Sequence, residues 1–161
     1  MARPICRAVA EQGAGNGRRQ HAPKLQFAAG HRDYDSLLAR LVELGSPPHY
    51  RLFPYVEPFA DALAAADLAA ARAGGSVFEL AAAGLPSILV PYPYATGNHQ
   101  AANARFMERA GAAVVIPDAQ LDGPRLAREV GGLLAAPQRL AEMTNAARSV
   151  ARPDAAERVA E

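Results

Sequence analysis

From Leu25 onwards, short apolar runs alternate with stretches in which apolar residues recur every three or four positions. The first run, Leu25-Gln26-Phe27-Ala28-Ala29, ends at Gly30 and predicts a strand with its exit turn. Asp33 or Asp35 is placed to cap a helix whose apolar stripe is Leu37, Leu38, Leu41 and Leu44, and Gly45 with Pro47-Pro48 stops it. Residues 50–56 read as a strand interrupted at Pro54, and Pro58 suits the first turn of a helix running to Ala66.

The alternation continues. Residues 67–71 predict a buried strand made mostly of alanine, closed by Ala73-Gly74-Gly75. Ser76 opens a helix that ends at Gly84, with Pro86 beyond it as a stop. Residues 87–90 have the unbroken apolar character of a strand covered on both faces. A helix over 98–110, a strand over 113–116 and helices over 121–134 and 137–149 complete the chain. Strands alternating with helices predict βαβ units, so the expected fold class is α/β: a single doubly wound parallel sheet. Ligands of such sheets lie beyond the carboxyl ends of the strands, where strand order reverses. The strand-to-helix turns are therefore the places to look for chemistry.

Composition narrows the class without changing it. The 161 residues are 50% hydrophobic and 20% charged, enough apolar material for a core that needs no disulfide or metal staple. One cysteine, Cys6, excludes an internal disulfide framework. No apolar run approaches the length of roughly 18 residues that a membrane span needs. A cytoplasmic domain is expected.

The net charge of +1 conceals a basic opening segment, where Arg3, Arg7, Arg18, Arg19, Lys24 and Arg32 stand against Glu11. This segment lacks interleaved aromatics, and Gly13, Gly15 and Gly17 break any basic helix, so nucleic acid is not an expected partner. It also lacks the apolar core of a signal peptide. Residues 1–24 show no period and read as an irregular basic segment.

Three turns carry candidate chemistry. In Arg72-Ala73-Gly74-Gly75-Ser76-Val77-Phe78-Glu79, glycines behind a strand let backbone N–H groups approach an anion at a helix start. Ser76 and Glu79 also fit the S-x-x-E capping box, and a capping glutamate can still turn its other oxygen towards a ribose diol. Both readings stand. The second turn, residues 91–103, offers His99, Gln100 and Asn103 to sugar hydroxyls, with Gln100 and Asn103 on one helical face. Alternatively, Asn98 caps the helix and the others are solvated. Tyr92 and Tyr94 read as packing residues. The third turn, residues 53–58, is stiffened by Pro54 and Pro58. Its backbone edge either reads a planar base or is structural.

Other chemistries are missing from the sequence. There is no G-x-G-x-x-G fingerprint, no Walker A sequence, no zinc-ligand spacing around Cys6 and no G-x-S-x-G elbow. His21, His31 and His49 read as surface residues, and Asp118 and Asp122 as helix-start residues. No metal or cofactor is expected.

The segment ARAGGSVFELAAAGLPSILVPYPYATGNHQAANARFMERAGAAVVI resembles the MurG-type transferases, with the glycine turn, the GLP-strand-VP segment, the NHQ-x-x-N helix start and the AGAA strand in the family's order. The resemblance runs from about Leu25 to the PDAAERVA tail. It implies a glycosyltransferase family 28 C-terminal, UDP-sugar-binding domain over residues 25–161, the Rossmann-like C-terminal half of a GT-B transferase. That family adds N-acetylglucosamine to undecaprenyl-pyrophosphoryl-N-acetylmuramoyl-pentapeptide in peptidoglycan synthesis, with inversion at the anomeric carbon.

By position, the resemblance implies that the Val56 backbone meets the uracil and that Phe59 packs near the base. It puts Glu79 on the ribose, Gly74, Gly75 and Ser76 in the nucleotide turn, and His99, Gln100 and Asn103 along the sugar. The implied partners are UDP-N-acetylglucosamine and a lipid-linked acceptor, the latter reached through an N-terminal domain or a partner subunit, which also implies peripheral association with the cytoplasmic face of the membrane. Two departures matter. The turn from Arg72 to Glu79 is one residue shorter than the family form, and the family's opening G-G-S-x-G-A turn has no counterpart. No residue here matches a catalytic base. The readings left open are a fragment of a longer transferase, the donor-binding subunit of a two-subunit N-acetylglucosaminyltransferase, another GT-B transferase, and an inactive nucleotide-binding fragment.

Overall fold

The computed structural model describes residues 8–11 and 24–152, and strand pairing organises them into one sheet. In chain order the elements are β1 (Ala8–Glu11), β2 (Lys24–Ala28), α1 (His31–Glu43), β3 (Tyr50–Phe53), α2 (Phe59–Ala64) and β4 (Ala69–Ala71), then α3 (Ser76–Ala82), β5 (Ser87–Leu89), α4 (His99–Arg109), β6 (Ala113–Val115), α5 (Gly123–Leu134) and α6 (Pro137–Val150). The sheet order is β3-β2-β1-β4-β5-β6. β2 pairs with β3, β4 with β5 and β5 with β6, all in parallel, as the βαβ alternation predicts.

β1 departs from expectation. It lies in the stretch read as irregular, yet it pairs antiparallel with both β2 and β4, in registers such as Val9↔Gln26 and Val9↔Ala69. Four residues, AVAE, are too few to show a period, and their place is set by the two strands that flank them. Since β1 opposes both neighbours, the other five strands run one way. Their carboxyl ends share one edge of the sheet, and β1 alone presents its amino end there.

Alternate residues of the central strands feed two cores, as the pleat requires. On one face Ala69, Ala71 and Leu89 pack with Leu63 of α2, Val77 and Leu80 of α3, and Ala104 and Met107 of α4. On the other face Ala70, Ile88 and Val90 pack with Leu133 of α5 and Met143 of α6. The alanines of β4 let both helical layers approach closely.

Helix boundaries shift where local chemistry differs from the expected caps. α1 starts at His31 behind Gly30, so Asp33 sits inside its first turn and neither aspartate caps it. None of the α1 residues is fully buried, and Leu44 lies beyond the last turn at 62% exposure. Asp122 does cap α5, accepting from the Arg125 backbone N–H at 2.6 Å.

Candidate functional site

The candidate site is the edge where β4, β5 and β6 end. The turn after β4 leads directly into α3. Gly75 precedes that helix and Ser76 is its first residue, with no side-chain cap. This corrects the capping-box reading. A box needs the serine one position before the helix, whereas here the register has slipped by one. Glu79 consequently makes no side-chain hydrogen bond among the described residues, and its carboxylate is exposed. The Val77 and Phe78 N–H groups return to the Gly74 and Gly75 carbonyls, and the N–H groups of Gly74, Gly75 and Ser76 have no backbone partners among the described residues. A Cβ at Gly74 or Gly75 would meet nothing within 4 Å, so the turn faces open space.

The turn after β5 runs through Pro91–Ala95 and a 3-10 turn, Thr96–Asn98, into α4. Asn98 holds a left-handed conformation and makes no cap bond, which excludes the capping role considered for it. Gln100 and Asn103 share one face of α4 as expected, but that face turns inward. Gln100 Oε1 accepts from the Tyr92 N–H at 2.9 Å. Asn103 Nδ2 donates to the Ala73 carbonyl at 3.0 Å and to the Gly74 carbonyl at 3.4 Å. Each amide thus ties its helix to a turn by one end and keeps its other polar atom, Gln100 Nε2 and Asn103 Oδ1, unused. His99 is exposed, and its Nδ1 lies 2.6 Å from the Thr96 carbonyl. A carbonyl only accepts, so Nδ1 is the donor in this contact and Nε2 is the ring nitrogen left free of it.

The tyrosines of this turn divide. Tyr92 is half-buried, while Tyr94 is 82% exposed and meets Tyr92 edge-to-face at 5.6 Å. Tyr94 is therefore no packing residue, because most of its surface is open to solvent.

Val56 and Phe59 approach from the opposite side. In the turn after β3 the Val56 backbone has no backbone hydrogen-bond partner among the described residues. Phe59 opens α2 and packs against the core that holds Ala69, Ala71 and Val77, which carries the turn back towards β4.

Sequence reasoning missed the pair that joins these turns. Arg72 Nη1 meets Asp118 Oδ1 at 2.5 Å and the Val90 carbonyl at 3.3 Å, and its guanidinium carbon lies 5.4 Å from the Tyr92 ring centre. Asp118 follows β6 on the same edge, and that position is the signal that could have marked it. Among the described residues no three His, Cys, Asp or Glu side chains gather to hold a metal ion. No helix among them is long and apolar enough to cross a membrane.

Comparisons with known proteins agree with this fold. Over 131 residues the chain is 48% identical to the UDP-N-acetylglucosamine--N-acetylmuramyl-(pentapeptide) pyrophosphoryl-undecaprenol N-acetylglucosamine transferase of Sorangium cellulosum, covering 80% of this chain and 32% of that protein. The transferase of the same name from Methylococcus capsulatus is 54% identical over 108 residues, 66% of this chain and 30% of its own. The chain thus spans about a third of the length of the curated relatives it matches. The crystal structure of Acinetobacter baumannii MurG superposes with a TM-score of 0.72 at 31% identity, covering 87% of this chain and 43% of that one. The model of the glycosyltransferase family 28 C-terminal domain matches residues 2–159, a span that includes β1. With the sheet and these matches in agreement, the chain belongs to the glycosyltransferase family 28 C-terminal domain family.

Proposed function

We propose that this chain binds UDP-N-acetylglucosamine and forms the donor side of an inverting N-acetylglucosaminyltransferase that acts on undecaprenyl-pyrophosphoryl-N-acetylmuramoyl-pentapeptide. One observation carries the reading: a chain 48% identical to such a transferase keeps an uncommitted carboxylate, Glu79, beside a turn with three unpaired N–H groups. A carboxylate suits the two hydroxyls of a ribose, and clustered N–H groups suit a diphosphate. On this reading Gly74, Gly75 and Ser76 face the nucleotide and the Val56 backbone meets the uracil. His99, Gln100 and Asn103 direct Nε2, Nε2 and Oδ1, respectively, towards the sugar.

The chemistry assigned to this chain is donor positioning and stabilisation of the departing pyrophosphate by fixed dipoles. An acceptor hydroxyl attacks the anomeric carbon from the face opposite the leaving UDP, and a base beyond these residues takes its proton. The chain then works in the cytoplasm at the inner face of the membrane, where a lipid-linked acceptor is held.

Calorimetry against a panel of UDP-sugars tests the reading. UDP-N-acetylglucosamine is expected to bind weakly and more tightly than the others. The family's opening G-G-S-x-G-A turn has no counterpart in this sequence, and β1 runs antiparallel to its neighbours, so its carboxyl end lies at the opposite edge and the phosphates are expected to have fewer contacts. Equal affinity across the panel, or no binding, would remove the proposal.

A further inference from the structure

The turns that leave β4, β5 and β6 are far apart in sequence, and one buttress links them. Arg72 leaves the end of β4, donates to the carboxylate of Asp118 beyond β6 and to the carbonyl of Val90 just after β5, and lies over Tyr92. Tyr92 in turn donates its backbone N–H to Gln100, so the buttress continues into the first turn of α4. The Arg72 and Asp118 side chains are 22% and 32% exposed, which shields the pair from solvent more than a surface ion pair.

We propose that Asp118 is a positioning residue for the donor site: it holds the Arg72 guanidinium against Val90 and Tyr92, and thereby fixes the turn that carries His99 and Gln100. The inference rests on the proposed donor site. Asp118 itself needs no contact with the nucleotide sugar, because it acts through Arg72. The electrostatic alternative has the opposite sign. Were Arg72 chiefly a cation for the diphosphate, Asp118 would compete with the ligand, and removing it would tighten binding.

The test measures UDP-N-acetylglucosamine affinity and thermal melting on the full chain and on Asp118→Ala, Asp118→Asn, Arg72→Ala and the Arg72→Ala/Asp118→Ala double variant. Glu129→Ala serves as the control, since it breaks the comparably exposed Arg125–Glu129 pair within α5, which shares no contact with the Arg72–Asp118 pair. The expected result is about three- to tenfold weaker binding for Asp118→Ala, with partial recovery in Asp118→Asn, whose amide oxygen still accepts from Arg72. In the Arg72→Ala background, removing Asp118 adds no further loss. Glu129→Ala binds like the parent. If Asp118→Ala does not fold, the same comparison is made with Asp118→Asn, for which a smaller loss, absent in the Arg72→Ala background, is expected.

Unchanged or tighter binding in the folded Asp118 variants would overturn the positioning role, as would an equal loss in the Arg72→Ala background. A parent chain that binds no UDP-sugar would instead sink the donor-site proposal on which this one stands.

Discussion

At Glu79 the two readings of one residue separate cleanly. With Gly75 ahead of α3 and Ser76 already inside it, Glu79 has no cap to close, so its removal costs little folding energy. Glu79→Ala is expected to melt close to the parent while weakening UDP binding about ten- to a hundredfold, since bonds to a charged acceptor contribute roughly 1.5–3 kcal/mol. Glu79→Gln should fall between them. Melting curves and calorimetry on the same two variants check this, and an alanine variant that binds UDP like the parent would return Glu79 to the solvated surface. Ser87 makes the reverse case. Its hydroxyl is wholly buried in β5 with no hydrogen-bond partner among the described residues, flanked by Ala69 and Ala113 in register. Ser87→Ala removes that unsatisfied group and leaves only a small void, so a gain of up to about 1 kcal/mol is expected. A clear drop in melting temperature would show that the hydroxyl is satisfied in solution.

Among the elements, the helices are unequally anchored. α3 contributes three buried residues in seven, whereas α1 contributes none in thirteen and leaves Leu38 and Val42 exposed. Helical stability in proteins comes mainly from burying an apolar face, so α1 is expected to open locally with a much smaller free energy than the β4–β6 layer. Amide hydrogen exchange should find α1 the least protected helix and β5 among the most protected strands. Equal protection of α1 and α4 would contradict this. The candidate turns after β4 and β5 belong to the well-anchored half, where Ala73, Val77, Ala104 and Met107 are fully buried. Rigid support below an exposed loop is what a binding edge requires.

For the molecule as a whole, the sheet determines what the chain can do unaided. Its carboxyl edge offers groups for a nucleotide sugar, but transfer also needs an acceptor and a base held in reacting geometry, a placement worth several kcal/mol of the barrier. The purified 161-residue chain is therefore expected to turn over no lipid-linked acceptor. Turnover that co-purifies with the chain through successive columns and is lost in Glu79→Ala would show that it holds the whole catalytic apparatus.

Much of this architecture was legible in the sequence because it rests on local signals. Apolar period, glycine exits and proline stops located β2 to β6 and every helix to within a few residues, and the order of the glycine turn and the NHQ-x-x-N segment pointed to the family. Three features were not legible, each for a physical reason. β1 is four residues long and takes its direction from its two neighbours, which no local pattern records. The capping register at Ser76 turned on a shift of one residue at the helix start, which decides whether Glu79 is bound or available. The Arg72–Asp118 contact joins residues 46 positions apart, and only the parallel order β4-β5-β6 brings their strand ends to one edge. Local periodicity determined the elements and their sequence, while pairing direction and side-chain partners were decided by strands meeting across the sheet.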